Sequence, residues 1–367
     1  MKIPGSLVFI AIALILSNLS LAQEKQDGAL STFEQFRLTD YIHWYSAIEQ
    51  QAMMDEWLKN HQLGTWSHSG RVGADDRTVI TPQADVNYGY NWFNISNGPM
   101  VIELPEYERY SSLSIFDMHH FVEDVIVNPN KPIVIRLANQ KSPRDEAHDV
   151  VLSTNSGLAF LRMVIPAAED EADVMRLTRE IKTTGGDGTE PFIIPSFTDK
   201  ERSVALEIIK DYGFKQKTGN NMFGKTSQGV GDLDRAAGVY LGQLGIPAEF
   251  VQYTQYVRTA DGEALGGDGH YEIRIDPKGL IRDKSGYWSI TLYNMEDRYL
   301  ISNPQGRYSI TSYTAAANSD GTYTVRTNPD GKGENAIPTM KKPVYAVMRV
   351  YQPMGTIDFP PISVARD

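Results

Sequence analysis

Side chains that could transfer a proton or hold a metal ion lie close together between residues 114 and 124. If this segment is a strand, its side chains alternate between two faces, so Asp117 and His119 share one face and His120 lies on the other. A carboxylate and an imidazole on one inward face supply part of a metal site, or a general base oriented by its carboxylate. The candidate ligands for a divalent metal here are Asp117, His119, His120 and Glu123, with Asp85 or His270 as further donors from elsewhere. A buried structural pair of Asp117 and His119 fits the same pattern.

A second group combines carboxylate, amide and aromatic side chains at the start of a predicted strand. Alternation places Asp85 and Asn87 on one face and Tyr88, Tyr90 and Trp92 on the other. Aromatic rings beside amides suit a polar or saccharide-like ligand, because rings cover apolar faces while amides bind hydroxyls. Alternatively, the aromatic face is core and Asp85 caps a turn.

A third group of ligand-binding candidates lies in the last third of the chain and consists of Trp288, Tyr293, Asn303, Arg307 and Tyr308. Arg307 could bind a substrate carboxylate through its planar fork of donors, which would suit an anionic ligand. In the alternative interpretation, Arg307 pairs with Asp297 or Glu296, and the Asn-Pro pair at 303–304 forms a turn. The other histidines have no predicted function: His43, His61, His68 and His148.

Periodicity predicts the elements that position these groups. Residues 32–60 have helical spacing and predict one or two helices packed on a sheet. Residues 77–165 predict strands near 78–80, 100–102, 112–121, 133–135 and 159–165, separated by Pro, Gly and Asn turns. Three helices follow between 167 and 246, and short strands with Asp-Gly turns continue to about residue 349. The predicted fold class is mainly β with helical segments, in sandwiches joined by a helical connector.

The N-terminus has the pattern of a secretory signal, with Lys2, an apolar run from Leu7 to Leu16, and a cleavage site after Ala22. We expect a signal peptide at 1–22, a helix and sandwich at 23–166, a connector at 167–254 and a second sandwich at 255–367. The protein is then periplasmic or secreted, without membrane insertion after cleavage. The absence of cysteine excludes disulfides and thiolate chemistry.

The formal net charge of the 367 residues is −11, and it becomes −12 when Lys2 is removed with the signal. A nucleic-acid-binding protein needs a concentrated basic face, and the chain has only the pair Lys341-Lys342, so we expect no nucleic-acid partner. We expect a small-molecule ligand instead, either anionic or saccharide-like.

Several motifs resemble a bacterial two-domain family. Residues 77–79, 81–85, Tyr88, 98–99 and 110–113 are similar to the domain of unknown function 1254 (DUF1254). Residues 287–293, 303–304, 307–309 and 348–351 resemble its companion, the domain of unknown function 1214 (DUF1214). The resemblance implies two jelly-roll-like β-sandwiches joined by helices, in a family whose activity is largely unassigned. The chain departs from the family pattern at Gln83, where Asn is usual, at Ala336, where Trp is usual, and at the pair His119-His120.

Linear catalytic motifs are absent from the sequence, including the Gly-x-Ser-x-Gly elbow, the His-Glu-x-x-His zinc helix and a dinucleotide fingerprint. Two classes of function remain. The first is an exported hydrolase or lyase for a small polar or aromatic molecule, with Asp85, Asp117 and His119 as catalytic residues. The second is a non-catalytic periplasmic module that binds a saccharide, a small ligand or a partner protein. Convergence of the three residues in one cavity would favour the enzyme, and dispersal would favour the binding module.

Overall fold

Helix α1 (Thr32–Leu58) opens the part of the chain that the computed structural model describes, which is residues 31–216, 219–280 and 282–365. Its start is fixed by a capping box, in which the Ser31 hydroxyl accepts from the Glu34 amide at 3.2 Å and the Glu34 carboxylate accepts from the Ser31 amide at 3.0 Å. The helix confirms the periodicity of residues 32–60. The predicted signal peptide at 1–22 lies outside the described residues.

Nine strands build the N-terminal sandwich. The inner N-terminal sheet has the order β1-β2-β8-β4-β5, and the outer N-terminal sheet has the order β7-β6-β3-β9. Apolar side chains from both sheets fill the space between them, including Phe93, Leu113, Ile135 and Leu161. The strand bounds are β1 (Ser67–Arg71), β2 (Val86–Asn94), β3 (Met100–Glu103), β4 (Ser111–Asp117), β5 (Val122–Val127), β6 (Ile133–Leu137), β7 (His148–Leu152), β8 (Ser156–Val164) and β9 (Lys182–Thr184).

Three further helices follow in the connector, as predicted: α2 (Glu171–Thr178), α3 (Asp199–Lys215) and α4 (Asp232–Leu241). Helices α1, α3 and α4 share a core of their own, with Ile42, Tyr45, Ile209 and Ala237 fully or nearly fully buried. The first part of α1 therefore packs on helices, and only its C-terminal part, at Met54, reaches the core beside the inner N-terminal sheet.

Eight strands build the C-terminal sandwich. The inner C-terminal sheet has the order β10-β16-β12-β13, and the outer C-terminal sheet has the order β15-β14-β11-β17. Trp288, Ile290 and Met348 lie in the core between them. The strand bounds are β10 (Val251–Tyr256), β11 (Tyr271–Ile275), β12 (Trp288–Asn294), β13 (Ser309–Thr311), β14 (Tyr323–Asn328), β15 (Ala336–Pro338), β16 (Val344–Tyr351) and β17 (Ile362–Val364).

The two inner sheets pack against each other through their second faces. Every residue of β2, β8, β12 and β16 is buried, and one continuous core joins Tyr88, Phe160 and Val164 of the first sandwich to Tyr293 and Val347 of the second. The molecule is thus a stack of four sheets with the helices beside it. Because both faces of each inner sheet are buried, polar side chains on the central faces must find partners inside the protein.

The mainly β fold class with helical segments is confirmed. Two strand predictions are wrong in detail. Residues 78–80 form bends, not a strand, and the strand predicted over 112–121 ends at Asp117. No helix within the described ranges is both long and apolar enough to cross a membrane.

Candidate functional site

Gln83 is the centre of a hydrogen-bond network between the two inner sheets. The two N–H bonds of its side-chain amide are shared among three acceptors: the Asp85 carboxylate at 2.9 Å, the Tyr287 hydroxyl at 2.6 Å and the Ser289 hydroxyl at 3.2 Å. Its amide oxygen accepts from the Tyr351 hydroxyl. Gln83 lies just before β2, whereas Tyr287, Ser289 and Tyr351 belong to the second sandwich, so one side chain connects the two halves of the molecule.

Asp85 is the only acidic group that this network engages among the described residues, and it is almost completely buried. One carboxylate oxygen, Oδ2, accepts from Gln83. Burial raises the pKa of Asp85, and hydrogen bonds from Ser309 and Gln83 together with the positive charge of Arg349 oppose that rise. The raised pKa favours the neutral carboxylic acid, which can donate as well as accept a hydrogen bond.

Two buried guanidinium groups face this core from opposite sheets. Arg162 on β8 and Arg349 on β16 are each only 6% exposed. Arg162 donates to the Ser114 hydroxyl at 3.1 Å and to the Leu244 carbonyl, while Arg349 donates to the Thr81 carbonyl at 3.0 Å. Within the described ranges, neither guanidinium forms an ion pair with a carboxylate, although burying a charge without a counter-charge is costly.

Tyrosine rings surround the two arginines. The Arg162 guanidinium lies 4.4 Å from the Phe160 ring centroid and 6.0 Å from that of Tyr88, and the Arg349 guanidinium lies 5.9 Å from those of Tyr253 and Tyr293. The negative faces of these rings stabilise the cations. The tyrosine hydroxyls add donors and acceptors to the same volume. We call Gln83, Asp85, Arg162, Arg349 and their tyrosine neighbours the interdomain cluster.

Asp117 does not orient His119. Its carboxylate accepts from the Phe121 amide at 2.9 Å and from the Ser153 hydroxyl at 2.8 Å, and burial raises its pKa to about 6. Because β4 ends at Asp117, His119 lies in a turn, and the alternation that placed the two side chains on one strand face is wrong.

Asp85 and Asp117 lie at opposite ends of the inner N-terminal sheet. Asp117 is opposite Gly157 of β8, whereas the Asp85 carbonyl accepts from the amide of Ile165, just beyond the end of β8. At ~3.3 Å per residue of strand, the chain from Gly157 to Ile165 advances about 26 Å. The three residues predicted to act together in catalysis are therefore dispersed, and they do not share one cavity.

The other candidate metal ligands have separate partners. His120 has a positive φ of 64°, and its Nε2 accepts from the Leu244 amide at 3.1 Å, while burial lowers its pKa to about 3. Glu123 accepts from the Thr226 hydroxyl on a neighbouring loop. In the part of the chain that the structure describes, no three His, Asp or Glu side chains lie close enough to hold a metal ion.

The second predicted group is divided between two faces, but the shared face predicted for Asp85 and Asn87 is wrong, because β2 begins only at Val86 and Asp85 bonds Gln83 on the side of the tyrosines. Tyr88, Tyr90 and Trp92 face the central core, and the Tyr88 hydroxyl accepts from the main-chain N–H of Gln83 at 2.8 Å. Asn87 lies on the other face, where its side chain contacts His68 at 3.2 Å and accepts from the Gly70 amide at 3.1 Å. Tyr88 thus belongs to the interdomain cluster with Asp85, and Asn87 does not.

The third predicted group is divided in the same way. Trp288 lies in the core of the C-terminal sandwich, whereas Tyr293 faces the central core, where its hydroxyl donates to the Pro82 carbonyl at 2.6 Å. Tyr308 packs against the edge of that core. Asn303 closes the predicted turn, with its side-chain oxygen accepting from the amides of Gln305 and Arg307 at 3.1 Å each.

Arg307 is engaged within its own sandwich. Its guanidinium donates to the Ala336 carbonyl of the outer C-terminal sheet at 3.0 Å. A donor that the sequence suggested for a ligand carboxylate is therefore bound to the backbone. The alternative pairing of Arg307 with Asp297 or Glu296 is not formed among the described residues, and Asp297 pairs with Arg77 at 3.4 Å.

Sequence reasoning missed Arg162 and Arg349 as functional candidates. A usable signal exists in β12 and β16, where Ser289, Thr291 and Arg349 alternate with apolar residues in strands that are otherwise hydrophobic. Such polar alternation inside two buried runs indicates a second buried face with hydrogen-bonding requirements of its own.

A shallow surface depression of about 390 Å³ lies at the predicted loop 219–231. It is lined by Asn220, Phe223, Asp234 and Glu249, among others, and it contains none of the predicted site residues. The loop borders a concave surface, as its composition suggested, but this surface is separate from the interdomain cluster.

Comparisons with known proteins agree with the architecture. Family models described as proteins of unknown function match residues 63–185 (DUF1254) and residues 251–355 (DUF1214). The crystal structure of the VPA0106 protein from Vibrio parahaemolyticus is similar over 91% of this chain and 100% of that chain, with a TM-score of 0.72 and 18% identity. A putative uncharacterized protein from Burkholderia cenocepacia aligns over 96% of both chains with a TM-score of 0.48 and 12% identity. No curated protein matches the chain.

Proposed function

This chain belongs to the family in which a DUF1254 domain is followed by a DUF1214 domain, and we propose that it binds a small anionic molecule between the two domains. The observation that carries the proposal is the presence of two buried, unpaired arginines, Arg162 and Arg349, in one tyrosine-lined core. The ligand would supply the missing negative charge.

The balance of charge in the interdomain cluster favours an anion. Arg162 and Arg349 keep their positive charge at any physiological pH, because guanidinium groups do not lose their proton in proteins. Among the described residues, Asp85 is the acid that the Gln83 network engages, and its raised pKa favours the neutral form. A bound carboxylate would accept hydrogen bonds from the arginines and from a neutral Asp85.

The rings favour an aromatic or otherwise flat ligand body. Tyr287 and Tyr351 are stacked, with ring centroids 4.6 Å apart and planes inclined by 3°. Tyr313, which is 41% exposed, lies 5.4 Å from Tyr287 and marks the side from which this ladder of rings meets the solvent. Stacked phenols accept another planar group with little loss of conformational entropy.

The geometry gives less support to a hydrolase or lyase that uses Asp85, Asp117 and His119, because the fold disperses these residues. Binding without catalysis was the alternative function, and it needs only the interdomain cluster. Export also remains part of the proposal, since a secretory signal at 1–22 would place the binding domains in the periplasm or outside the cell.

Thermal shift and calorimetric titration test the proposal. We would titrate the protein with benzoate and 4-hydroxybenzoate, and in parallel with the uncharged analogue benzamide and with glucose. Benzoates are expected to raise Tm in a concentration-dependent way, because a ligand at 100 times its Kd stabilises the folded state by about 2.7 kcal/mol. The uncharged compounds are expected to leave Tm unchanged. Equal effects of benzoate and benzamide would contradict the charge argument, and binding of glucose alone would favour the saccharide-like ligand.

Arg307 provides a matched control for the two buried arginines. R162M and R349M are expected to abolish the response to benzoate, whereas R307M keeps it, because Arg307 donates to the Ala336 carbonyl within its own sandwich. Loss of binding only in R307M would transfer the site to the third predicted group.

A further inference from the structure

His43 on α1 and His119 in the turn after β4 form an imidazole pair at the junction of helices and sheet. Their ring centroids are 5.6 Å apart. His43 was given no function from the sequence, and the fold brings it to His119 from a distant part of the chain. Both side chains are partly exposed to solvent.

A carboxylate orients one member of the pair. Nδ1 of His43 lies 3.0 Å from the Asp232 carboxylate, and the other oxygen of Asp232 accepts from the buried Arg235 at 2.8 Å. Because Nδ1 is engaged, the remaining nitrogen, Nε2, is the one that can exchange a proton with a bound molecule. Asp232 is therefore a positioning residue.

The second member of the pair has no hydrogen bond among the described residues. His119 contacts only rings, with centroids at 4.9 Å for Trp44 and 5.5 Å for Phe192, and its Nδ1 is enclosed without a partner. A proton that His119 accepts therefore arrives at Nε2. Trp44 and Phe192 also provide flat apolar surfaces beside the pair.

From this geometry we propose that His43 and His119 are the general acid and general base of a second site, which hydrolyses neutral carboxylic esters of phenols. Imidazole pairs at this separation can act on the two ends of one reacting bond, and positioned acid–base groups typically contribute about 10²–10⁴-fold in rate. The site is separate from the interdomain cluster and does not depend on the anion-binding function.

The reaction balances with water as the only co-reactant. His119 takes a proton from water as the water oxygen attacks the ester carbonyl carbon. The bond from that carbon to the phenolic oxygen breaks, and His43 Nε2 donates its proton to the departing oxygen. A carboxylic acid and a phenol leave, and the proton on His119 returns to His43 through solvent.

The protonation states suit these roles. The hydrogen bond to Asp232 raises the pKa of His43, against burial, while Asp232 and Asp40 add favourable charge and Arg235 opposes. Burial, with the charges of His43 and Arg235, lowers the pKa of His119 to about 4. Two titratable groups with pKa values driven apart are typical of acid–base pairs. The positive charges of His43 and Arg235 are balanced by the negative charges of Asp232 and Asp40, so a neutral ester fits better than a phosphodiester.

Hydrolysis of 4-nitrophenyl acetate, followed by release of 4-nitrophenol, tests the proposal. H43A and H119A are each expected to lower kcat/KM by at least about 100-fold. H148A is the matched control, because His148 forms an exposed pair with Asp124 at 2.6 Å, and it is expected to leave the rate unchanged. Circular dichroism and Tm would show that each variant is folded. A wild-type rate equal to that of the H43A/H119A double variant, or an equal loss in H148A, would overturn the proposal.

The pH profile tests Asp232 as a positioning residue. Activity needs neutral His119 and protonated His43, so it should fall below about pH 4 and again above the raised pKa of His43. D232N is expected to move the alkaline limb to lower pH, because it removes the hydrogen bond and the charge that stabilise the His43 imidazolium. The acid limb should move less and in the same direction, because the Asp232 charge also raises the pKa of His119. An unchanged alkaline limb in D232N would refute this role of Asp232.

Discussion

Replacing Gln83 by leucine is the most direct test of whether the two domains depend on the interdomain cluster. Leucine keeps nearly the same volume, so the change removes hydrogen bonds without creating a large cavity. Four buried groups lose their partner in the network: the Asp85 carboxyl and the hydroxyls of Tyr287, Ser289 and Tyr351. Each buried polar group left unpaired costs about 1–3 kcal/mol, and members of one network are not additive, so we expect a loss of about 4 kcal/mol.

The assay is equilibrium unfolding in urea at pH 7, followed by tryptophan fluorescence. Gln305→Leu is the matched control, because the side-chain amide of Gln305 donates one exposed hydrogen bond, to the main-chain carbonyl of Asp330 at 2.8 Å. Its expected loss is at most about 1 kcal/mol. If Q83L loses no more unfolding free energy than Q305L, the hydrogen bonds of Gln83 do not stabilise the junction of the domains.

Three further changes test the buried titratable groups and the sheet packing. Burial raises the pKa of Asp117 from 3.8 to about 6, so ionisation of its carboxylate destabilises the fold increasingly between about pH 3.8 and 6. In urea titrations, the unfolding free energy of D117N should therefore rise by about 3 kcal/mol relative to wild type between pH 4 and 7. Burial lowers the pKa of His120 from 6.5 to about 3, so protonating it costs stability as the pH falls below 6.5. Asparagine tolerates the positive φ of this position, and the unfolding free energy of H120N should fall by about 3 kcal/mol less than that of wild type between pH 7 and 4. An equal fall in both proteins would contradict this. Gly157→Ala should lower stability by about 2–3 kcal/mol, because its Cβ would lie 2.3 Å from a backbone oxygen, whereas Gly73→Ala, with no atom within 4 Å, should lower neither stability nor Tm.

The fold could be predicted further than the site. Helical spacing of apolar residues located α1 and the three connector helices, including α2 with only eight residues. Strand alternation also assigned Tyr88, Tyr90 and Trp92 correctly to one face. It failed after Asp117, where the strand ends in a turn with His120 in the left-handed region, because a turn of this kind has no apolar pattern to mark it.

The site was harder to predict because its members come from both sandwiches. Asp85 and Gln83 precede β2, and their partners are Tyr287, just before β12, and Tyr351 at the end of β16 in the second domain. No spacing within one segment reports such a contact. His43 was missed for the same reason, since α1 and the turn that carries His119 meet only in the folded chain.

The stacking of four sheets explains why motif residues and core residues are so hard to separate in this chain. An antiparallel sheet usually has one wet face, which makes a buried polar residue conspicuous in the sequence. Here the inner sheets are buried on both faces, so Arg162 and Arg349 sit in strands that look uniformly like core. A structural role alone would be served at lower cost by apolar residues of similar size, since replacing buried charges by well-packed hydrophobic groups is often neutral or stabilising. The presence of two buried cations on facing sheets therefore supports the proposal that an anionic ligand pairs with them.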